Sequence, residues 1–371
     1  WVMSRLLLSG DTRKNLPLSG TARTGASLMW TAGLHSGTWA AGLAACALIR
    51  EKNIMKVHYR IIDNDIEIVR CFGTDPEIVV PEKIDGRPVK RMAPYAFSAR
   101  KDREDEDVLV FETDEERMFS SEEKLLAGQT LESVRLPDTM EEAGRYLFYG
   151  CRNLRELHFS DRLKNIGSGA FTGCRSLSAL HVRLLDGDRS CVHDILGDLW
   201  QRIDVTFYKG GTEARLVFPE HYEEAVENTP ARILFTQHHG SGNNYRQCFY
   251  NKEIDYRKYD GLFYSARAQD DVNVISDLIF ARLMYPEDLT KEAQKAYEDY
   301  VREHALPVAE HLTDTEDLAA LKEFSARELW TRESLTGVVH YASGQGKRAV
   351  LAFLMNEKHR LYPERKKKYE L

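Results

Sequence analysis

Hydrophobic positions between residues 131 and 184 recur at a fixed step of 23 residues. In each copy, apolar residues form an L-x-x-L-x-L pattern, in which alternate side chains point to the same side of a short strand. A step of about 20–29 residues with this core is typical of solenoids that stack one repeat on the next. The positions that keep the step are Leu131, Leu154 and Leu177; Val134, Leu157 and Leu180; Leu136, Phe159 and Val182.

The second half of each repeat returns the chain to the next strand and has its own motif. One copy ends in Ala170-Phe171-Thr172-Gly173-Cys174 and the copy before it in Leu147-Phe148-Tyr149-Gly150-Cys151. This A-F-x-G-C ending resembles the BspA-type (Treponema-type) leucine-rich repeats. One mild departure is that the earlier copy has Ala143 at the repeat position where the later copy has Ile166. The resemblance implies surface recognition or scaffolding, usually in bacteria, and no enzyme activity.

The stretch before these copies reads as a capping repeat. Asp63-Asn64-Asp65 separates two alternating stretches and predicts a β-hairpin. Ile78, Val80 and Pro81 match the later positions Val134, Leu136 and Pro137. Residues 98–130 then interrupt the period with a dense charge run, which predicts either a solvated insertion at the solenoid edge or an acidic docking surface.

Residues 1–54 do not share the pattern of the rest of the chain. Three interpretations are open: a membrane span over Leu28–Ile49, a lipoprotein signal ending at Cys46, or a segment outside the natural protein, whose true start would then be Met55. We favour the start at Met55, because Arg50-Glu51-Lys52 is what a translated ribosome-binding site would spell.

After residue 184 the repeat decays and a helical period takes over. We expect a helix at 192–202, strands at 203–208 and 215–218, and another helix starting at Pro219. From Asp271 onward, apolar residues follow helical spacing, with Thr290 as an N-cap and Gly344-Gln345-Gly346 as a helix–helix turn. These short helices resemble ankyrin-like helical hairpins.

The patterns together predict an α+β chain, a short leucine-rich-repeat solenoid of parallel strands followed by an all-α helical-hairpin domain. The predicted divisions are an extension at 1–54, a solenoid at 55–212 with its acidic insertion at 98–130, a linking segment at 213–264 and a helical domain at 265–371.

Composition narrows the class of partner. The 371 residues carry a net charge of −7 and an isoelectric point near 6.0, which argues against nucleic acid. Six cysteines in so long a chain do not make a disulfide scaffold. Cys151 and Cys174 hold the same repeat position, and we expect buried free thiols there rather than a disulfide.

We therefore predict a non-enzymatic interaction or scaffold protein with a protein or peptide partner and no cofactor. Outward residues of the strands are the candidate partner-binding surface: Arg135, Glu156, His158, Ser178 and His181. We expect a cytoplasmic location and no membrane contact unless Cys46 is a lipobox cysteine. The sequence carries no signal for an oligomeric state.

Two other functions are alternatives. Adjacent histidines beside a glycine-rich turn, His238 and His239, would seat a metal-dependent hydrolase, with Cys248 or Asp255 as a further ligand. Against this, zinc sites need three or four ligands at recognisable spacings. The second alternative is a lipid-anchored cell-surface adhesin, which depends on Cys46.

Overall fold

The computed structural model describes residues 55–100, 107–113, 124–228 and 233–363, with the backbone alone for residues 226–228 and 233–235. All of these residues lie in one compact unit, Glu51–Leu371. The predicted extension at 1–54, including Cys46, and the charge run at 101–106 lie outside the described residues. The expectations for them stay predictions.

Short strands predominate in the described chain as far as residue 254. They are β1 (Lys56–Ile62), β2 (Asp65–Gly73), β3 (Glu77–Val79), β4 (Lys83–Ile84), β5 (Arg87–Met92), β6 (Leu109–Glu112), β7 (Lys124–Leu125), β8 (Ser133–Arg135), β9 (Glu142–Ala143), β10 (Glu156–Ser160), β11 (Asn165–Ile166), β12 (Ala179–Leu184), β13 (Ile203–Lys209), β14 (Thr212–Phe218), β15 (Tyr222–Asn228), β16 (Ile233–His239), β17 (Phe249–Tyr250) and β18 (Glu253–Ile254).

Helices predominate from residue 256 onward, and two short ones precede that point. They are α1 (Val192–Gly197), α2 (Gly242–Arg246), α3 (Tyr256–Gly261), α4 (Phe263–Gln269), α5 (Val272–Met284), α6 (Lys291–Glu303), α7 (Ala305–Asp314), α8 (Leu318–Ala326), α9 (Arg332–Gln345) and α10 (Arg348–Leu361).

Strands of successive repeats stack into a β-solenoid of about five turns over residues 66–209. One sheet has the order β3-β8-β10-β12-β13-β14, and the other runs β11-β9-β5-β2-β1-β6. Val134, Leu157 and Leu180 lie in register on β8, β10 and β12, and all three are buried. The predicted solenoid of parallel strands is thereby confirmed.

The A-F-x-G-C motif builds the return side of the solenoid. The rings of Phe97, Phe148 and Phe171 stack in sequence, with centroids 5.3 and 5.5 Å apart. Each motif cysteine donates a hydrogen bond to the phenylalanine carbonyl of the preceding repeat, Cys151 to Phe97 at 3.1 Å and Cys174 to Phe148 at 3.2 Å. Both are buried free thiols, as predicted, and burial raises the pKa of Cys151 to about 12.

Close stacking of the repeats explains why glycines recur at the 23-residue step, at Gly144 and Gly167. A Cβ at Gly167 would lie 2.2 Å from the backbone nitrogen of Arg145, and one at Gly144 would lie 2.4 Å from that of Pro94. The glycine is therefore required by the neighbouring repeat's backbone.

The N-terminal hairpin also has the predicted form. β1 pairs antiparallel with β2, and the turn residues Asp63 and Asn64 take left-handed φ values of 53° and 71°. Two such residues are typical of the type I′ turn, whose twist suits a two-residue hairpin. β2 then pairs in parallel with β5 and joins the hairpin to the solenoid.

The end of the solenoid departs from the sequence prediction in two places. The helix expected at 192–202 is shorter, because α1 ends at Gly197. The helix expected at Pro219 is wrong: residues 222–228 form β15, which pairs antiparallel with β16. Hairpin pairing with β16, the next strand along the chain, satisfies the backbone groups of this stretch and overrides its local helical signals.

Helices α2–α10 form the described C-terminal region and confirm the α+β class. The Thr290 hydroxyl accepts a hydrogen bond from the Ala293 N–H at 3.2 Å, so the predicted N-cap of α6 is present. Gly346, with a φ of 70°, ends α9 in the left-handed conformation that suits glycine. The ankyrin-like resemblance and the domain boundaries stay predictions.

Repeats and helices share one hydrophobic core, which extends from Met55 to Leu354. The buried guanidinium of Arg246 connects the last repeat to α2 by hydrogen bonds to backbone carbonyls, and burial lowers its pKa to about 10. Its acceptors are the carbonyl oxygens of Leu196, Leu199, Gln201, Pro219 and Gly242.

Candidate interaction surface

One row of side chains crosses the sheet that contains β10 and β12, on the side opposite the core. Leu157 and Phe159 of β10 point into the core, so the alternate residues Glu156 and His158 point outward. We call the side that carries them the outward sheet face. Its central row, residue by residue in register, is Val79, Arg135, His158, His181, Thr206 and Arg215.

Two histidines occupy the middle of this row. The rings of His158 and His181 are stacked with centroids 4.3 Å apart and an angle of 12° between their planes. The parallel ladder between β10 and β12 places them directly opposite each other. On its other side, Nδ1 of His181 is 3.2 Å from the hydroxyl of Tyr208.

Burial favours the uncharged form of both imidazoles. Burial lowers the pKa of His158 to about 3, and the neighbouring His181 imidazole and the Arg135 charge act in the same direction. Burial likewise lowers the pKa of His181, although the Glu156 carboxylate opposes that change. An uncharged ring keeps one nitrogen lone pair that accepts a hydrogen bond or binds a metal ion.

The Glu156 carboxylate lies beside this pair. Its Oε2 is 3.6 Å from Nε2 of His158, and its side chain is half exposed. One donor atom each from Glu156, His158 and His181 lies within 4.8 Å of the others. Of the five residues predicted for the partner-binding surface, these three come together at the centre of the outward sheet face.

The other two predicted residues lie beside the cluster or away from it. Arg135 is in register with His158 on β8. Ser178 precedes β12, is exposed, and its hydroxyl lies 3.4 Å from the carbonyl oxygen of Arg155. Ser178 is therefore outside the central row. The role of all five residues in binding stays a prediction.

Thr206, Tyr208 and Arg215 are among the residues of the outward sheet face that were absent from the predicted surface. The step from Leu180 to its partner Val205 exceeds the 23-residue period, so the pattern does not extend to β13. The alternation over 203–208 was the available signal, because it places Thr206 and Tyr208 on the same side of a strand.

His238 and His239 do not converge on a metal site. They are successive residues of β16, so their side chains lie on opposite sides of the hairpin. His238 Nδ1 is 3.3 Å from Glu223 Oε1, and His239 Nε2 is 3.3 Å from Glu224 Oε2. Within the described ranges, the one group of three metal-ligating side chains is instead Glu156, His158 and His181.

A cavity of about 470 Å³ lies at the end of β12 and β13, beside α3. Five carboxylates line it, but two of them are neutralised by cations: Asp188 by Lys209 at 2.5 Å and Asp288 by Arg257 at 3.1 Å. Among the described residues, the side chains that line this cavity do not form a group of three metal ligands.

Every helix in the described part of the chain is too short or too polar to cross a bilayer.

A match to a known protein family agrees with the repeat architecture. Residues 120–184 match the family described as BspA type leucine rich repeat region (6 copies). Among solved structures, the crystal structure of a leucine-rich-repeat protein from T. pallidum matches at 21% identity and a TM-score of 0.20, over 34% of this chain and 68% of that one. No curated protein matches the chain. Residues 120–184 are thus a BspA-type leucine-rich repeat region, set in an α+β protein with a C-terminal helical region.

Proposed function

We propose that this chain is a non-enzymatic scaffold that receives a protein or peptide partner on the outward sheet face. Solenoids of stacked repeats present extended surfaces of this kind to partners. The observation that carries the proposal is the central row itself, in which six neighbouring strands align outward side chains in register.

The face is rigid before any partner arrives. Each outward residue is flanked along its strand by buried ones, as His158 is by Leu157 and Phe159. Strands anchored in this way lose little backbone entropy on binding, so more of the contact energy remains available for affinity.

The chemistry of the face suits a polar protein surface. The central row carries Arg135 and Arg215, and the exposed Tyr208 adjoins it at His181. Arginine and tyrosine are enriched where proteins meet. Carboxylates accompany these cations, since Glu156 and Asp204 lie on the same face, so a partner of mixed charge fits better than a polyanion.

The helical region offers a second surface in this proposal. Tyr264 of α4 is 70% exposed, with the guanidinium of Arg267 4.0 Å from its ring centroid. Met355 of α10 is also exposed.

We further propose a cytoplasmic location, with cell-surface anchoring through Cys46 as the alternative.

A pair of matched variants tests the proposal. The full chain is expressed with an affinity tag in its native host, and co-purifying proteins are quantified for the wild type, Thr206→Arg and Thr172→Arg. Thr206 lies in the central row, whereas Thr172 is exposed on the return side. We expect at least one partner that Thr206→Arg loses and Thr172→Arg retains. An identical set of partners for all three proteins would contradict the proposal.

A further inference from the structure

We infer that Glu156, His158 and His181 bind a divalent transition-metal ion on the outward sheet face. Their donor atoms lie within 4.8 Å of one another, one from each side chain. Zinc is bound by histidine nitrogen and carboxylate oxygen at about 2.0–2.2 Å, which puts neighbouring ligand atoms roughly 3.3 Å apart in a tetrahedron. Small side-chain rotations therefore bring the three donors onto one ion.

The backbone already supplies most of this geometry. His158 and His181 face each other across the β10–β12 ladder, and Glu156 lies two residues before His158 on the same side of β10. The buried Leu157 and Leu180 beneath them fix both strands in the core. The half-exposed Glu156 carboxylate is the donor with the most freedom to adjust.

The surroundings of His181 add a contact that metal-bound histidines commonly have. Its Nδ1 lies 3.2 Å from the Tyr208 hydroxyl, so ligation of the ion through Nε2 would keep this hydrogen bond. A hydrogen bond at the second ring nitrogen fixes both the tautomer and the orientation of a ligating histidine. The half-exposed side of the cluster, where Glu156 lies, leaves a fourth position for water.

The donor set selects the class of ion. Two imidazoles and one carboxylate suit zinc, cobalt or nickel, whereas calcium and magnesium prefer oxygen ligands throughout. Arg135 flanks His158 and places a positive charge near the ion, which weakens binding. This inference is independent of the proposed partner binding, because metal affinity is measured on the chain alone.

The test is a titration of the full-length, untagged chain, stripped of metal with a chelator, with cobalt(II) or zinc(II). Binding is followed by calorimetry and, for cobalt, by visible absorption. We expect one ion to bind at this site and affinity to fall by about tenfold or more in His181→Ala and in Glu156→Gln. The matched control is His238→Ala, which removes an exposed histidine that also has a glutamate 3.3 Å away but lacks the second ring.

The Arg135→Gln variant provides a second test of metal binding in case His181→Ala or Glu156→Gln fails to fold. Loss of the nearby cation should raise the affinity, and misfolding would not produce that result. Equal affinities for wild type, Glu156→Gln and His181→Ala would overturn the inference, as would the absence of binding to the wild type.

Discussion

Arg282 and Asp260 form a bidentate ion pair inside the helical region, with nitrogen–oxygen distances of 2.8 and 2.9 Å and side chains 0% and 3% exposed. The Tyr297 hydroxyl also donates to Asp260 at 2.8 Å, and Arg282 donates to the carbonyl oxygen of Glu287 at 2.7 Å. These contacts tie α3, α5 and α6 together.

Loss of the Asp260 charge should strongly destabilise the protein. Asp260→Asn leaves the Arg282 guanidinium buried without a counter-charge, for which we expect a cost of about 3–5 kcal/mol in the free energy of unfolding. Urea denaturation measures it. Asp288→Asn is the control, because Asp288 pairs with the exposed Arg257 and should cost about 1 kcal/mol or less. Similar costs for the two variants would contradict the role given to burial.

The stacking of the repeats predicts a strong effect of a small substitution at Gly167. Gly167→Ala places a methyl group against the backbone of Arg145, and we expect a loss of about 1–3 kcal/mol because backbone has to move. Gly187→Ala, where nothing lies within 4 Å of the added Cβ, should change the stability by less than about 0.5 kcal/mol. Thermal unfolding of both variants measures these losses of stability. A Gly167→Ala protein as stable as Gly187→Ala would refute close stacking of the repeats at Gly167.

Asp277 makes the stability of the protein depend on pH. Burial opposes its ionisation, but hydrogen bonds from His311 at 2.7 Å and Arg202 at 2.6 Å, together with the Arg202 charge, outweigh burial and lower its pKa. A carboxyl group with a lowered folded-state pKa stabilises the protein above its unfolded value of about 3.9. This stabilisation is lost as the pH falls from the unfolded-state pKa through the lower folded-state pKa of Asp277.

The corresponding test compares wild type with Asp277→Asn in urea between about pH 6 and pH 3. At the higher pH we expect the wild type to be more stable than Asp277→Asn. The difference in the free energy of unfolding between the two proteins should shrink as the pH falls. Asp288→Asn serves again as the control, with a small difference throughout. A difference between wild type and Asp277→Asn that is constant with pH would contradict the assignment.

Local patterns were sufficient for the repeats, because each repeat contacts chiefly its neighbours. The positions of Val134, Leu157 and Leu180 follow from the period, and the turn at Asp63 and Asn64 follows from the residues that tolerate a left-handed φ. In both cases the residues that decide the structure are close in sequence or repeat at a fixed step.

Contacts outside the repeat pattern were not predictable in the same way. The pairing of β15 with β16 overrode a helical signal, and the Arg202–Asp277 pair joins residues of the solenoid and of the helical region. His158 and His181 were identified as outward residues from the sequence. The stacking of their rings and the closeness of the Glu156 carboxylate depend on side-chain conformations, which a repeat pattern does not contain.

Position-specific photo-crosslinking in cells tests most directly the central claim that a partner binds the outward sheet face. A benzophenone amino acid replaces Thr206 in the central row or Thr172 on the return side, and adducts of the full chain are resolved by mass. The account predicts a discrete adduct from position 206 and none from position 172. Equal adducts from both positions, adducts from position 172 alone, or none from either would contradict it.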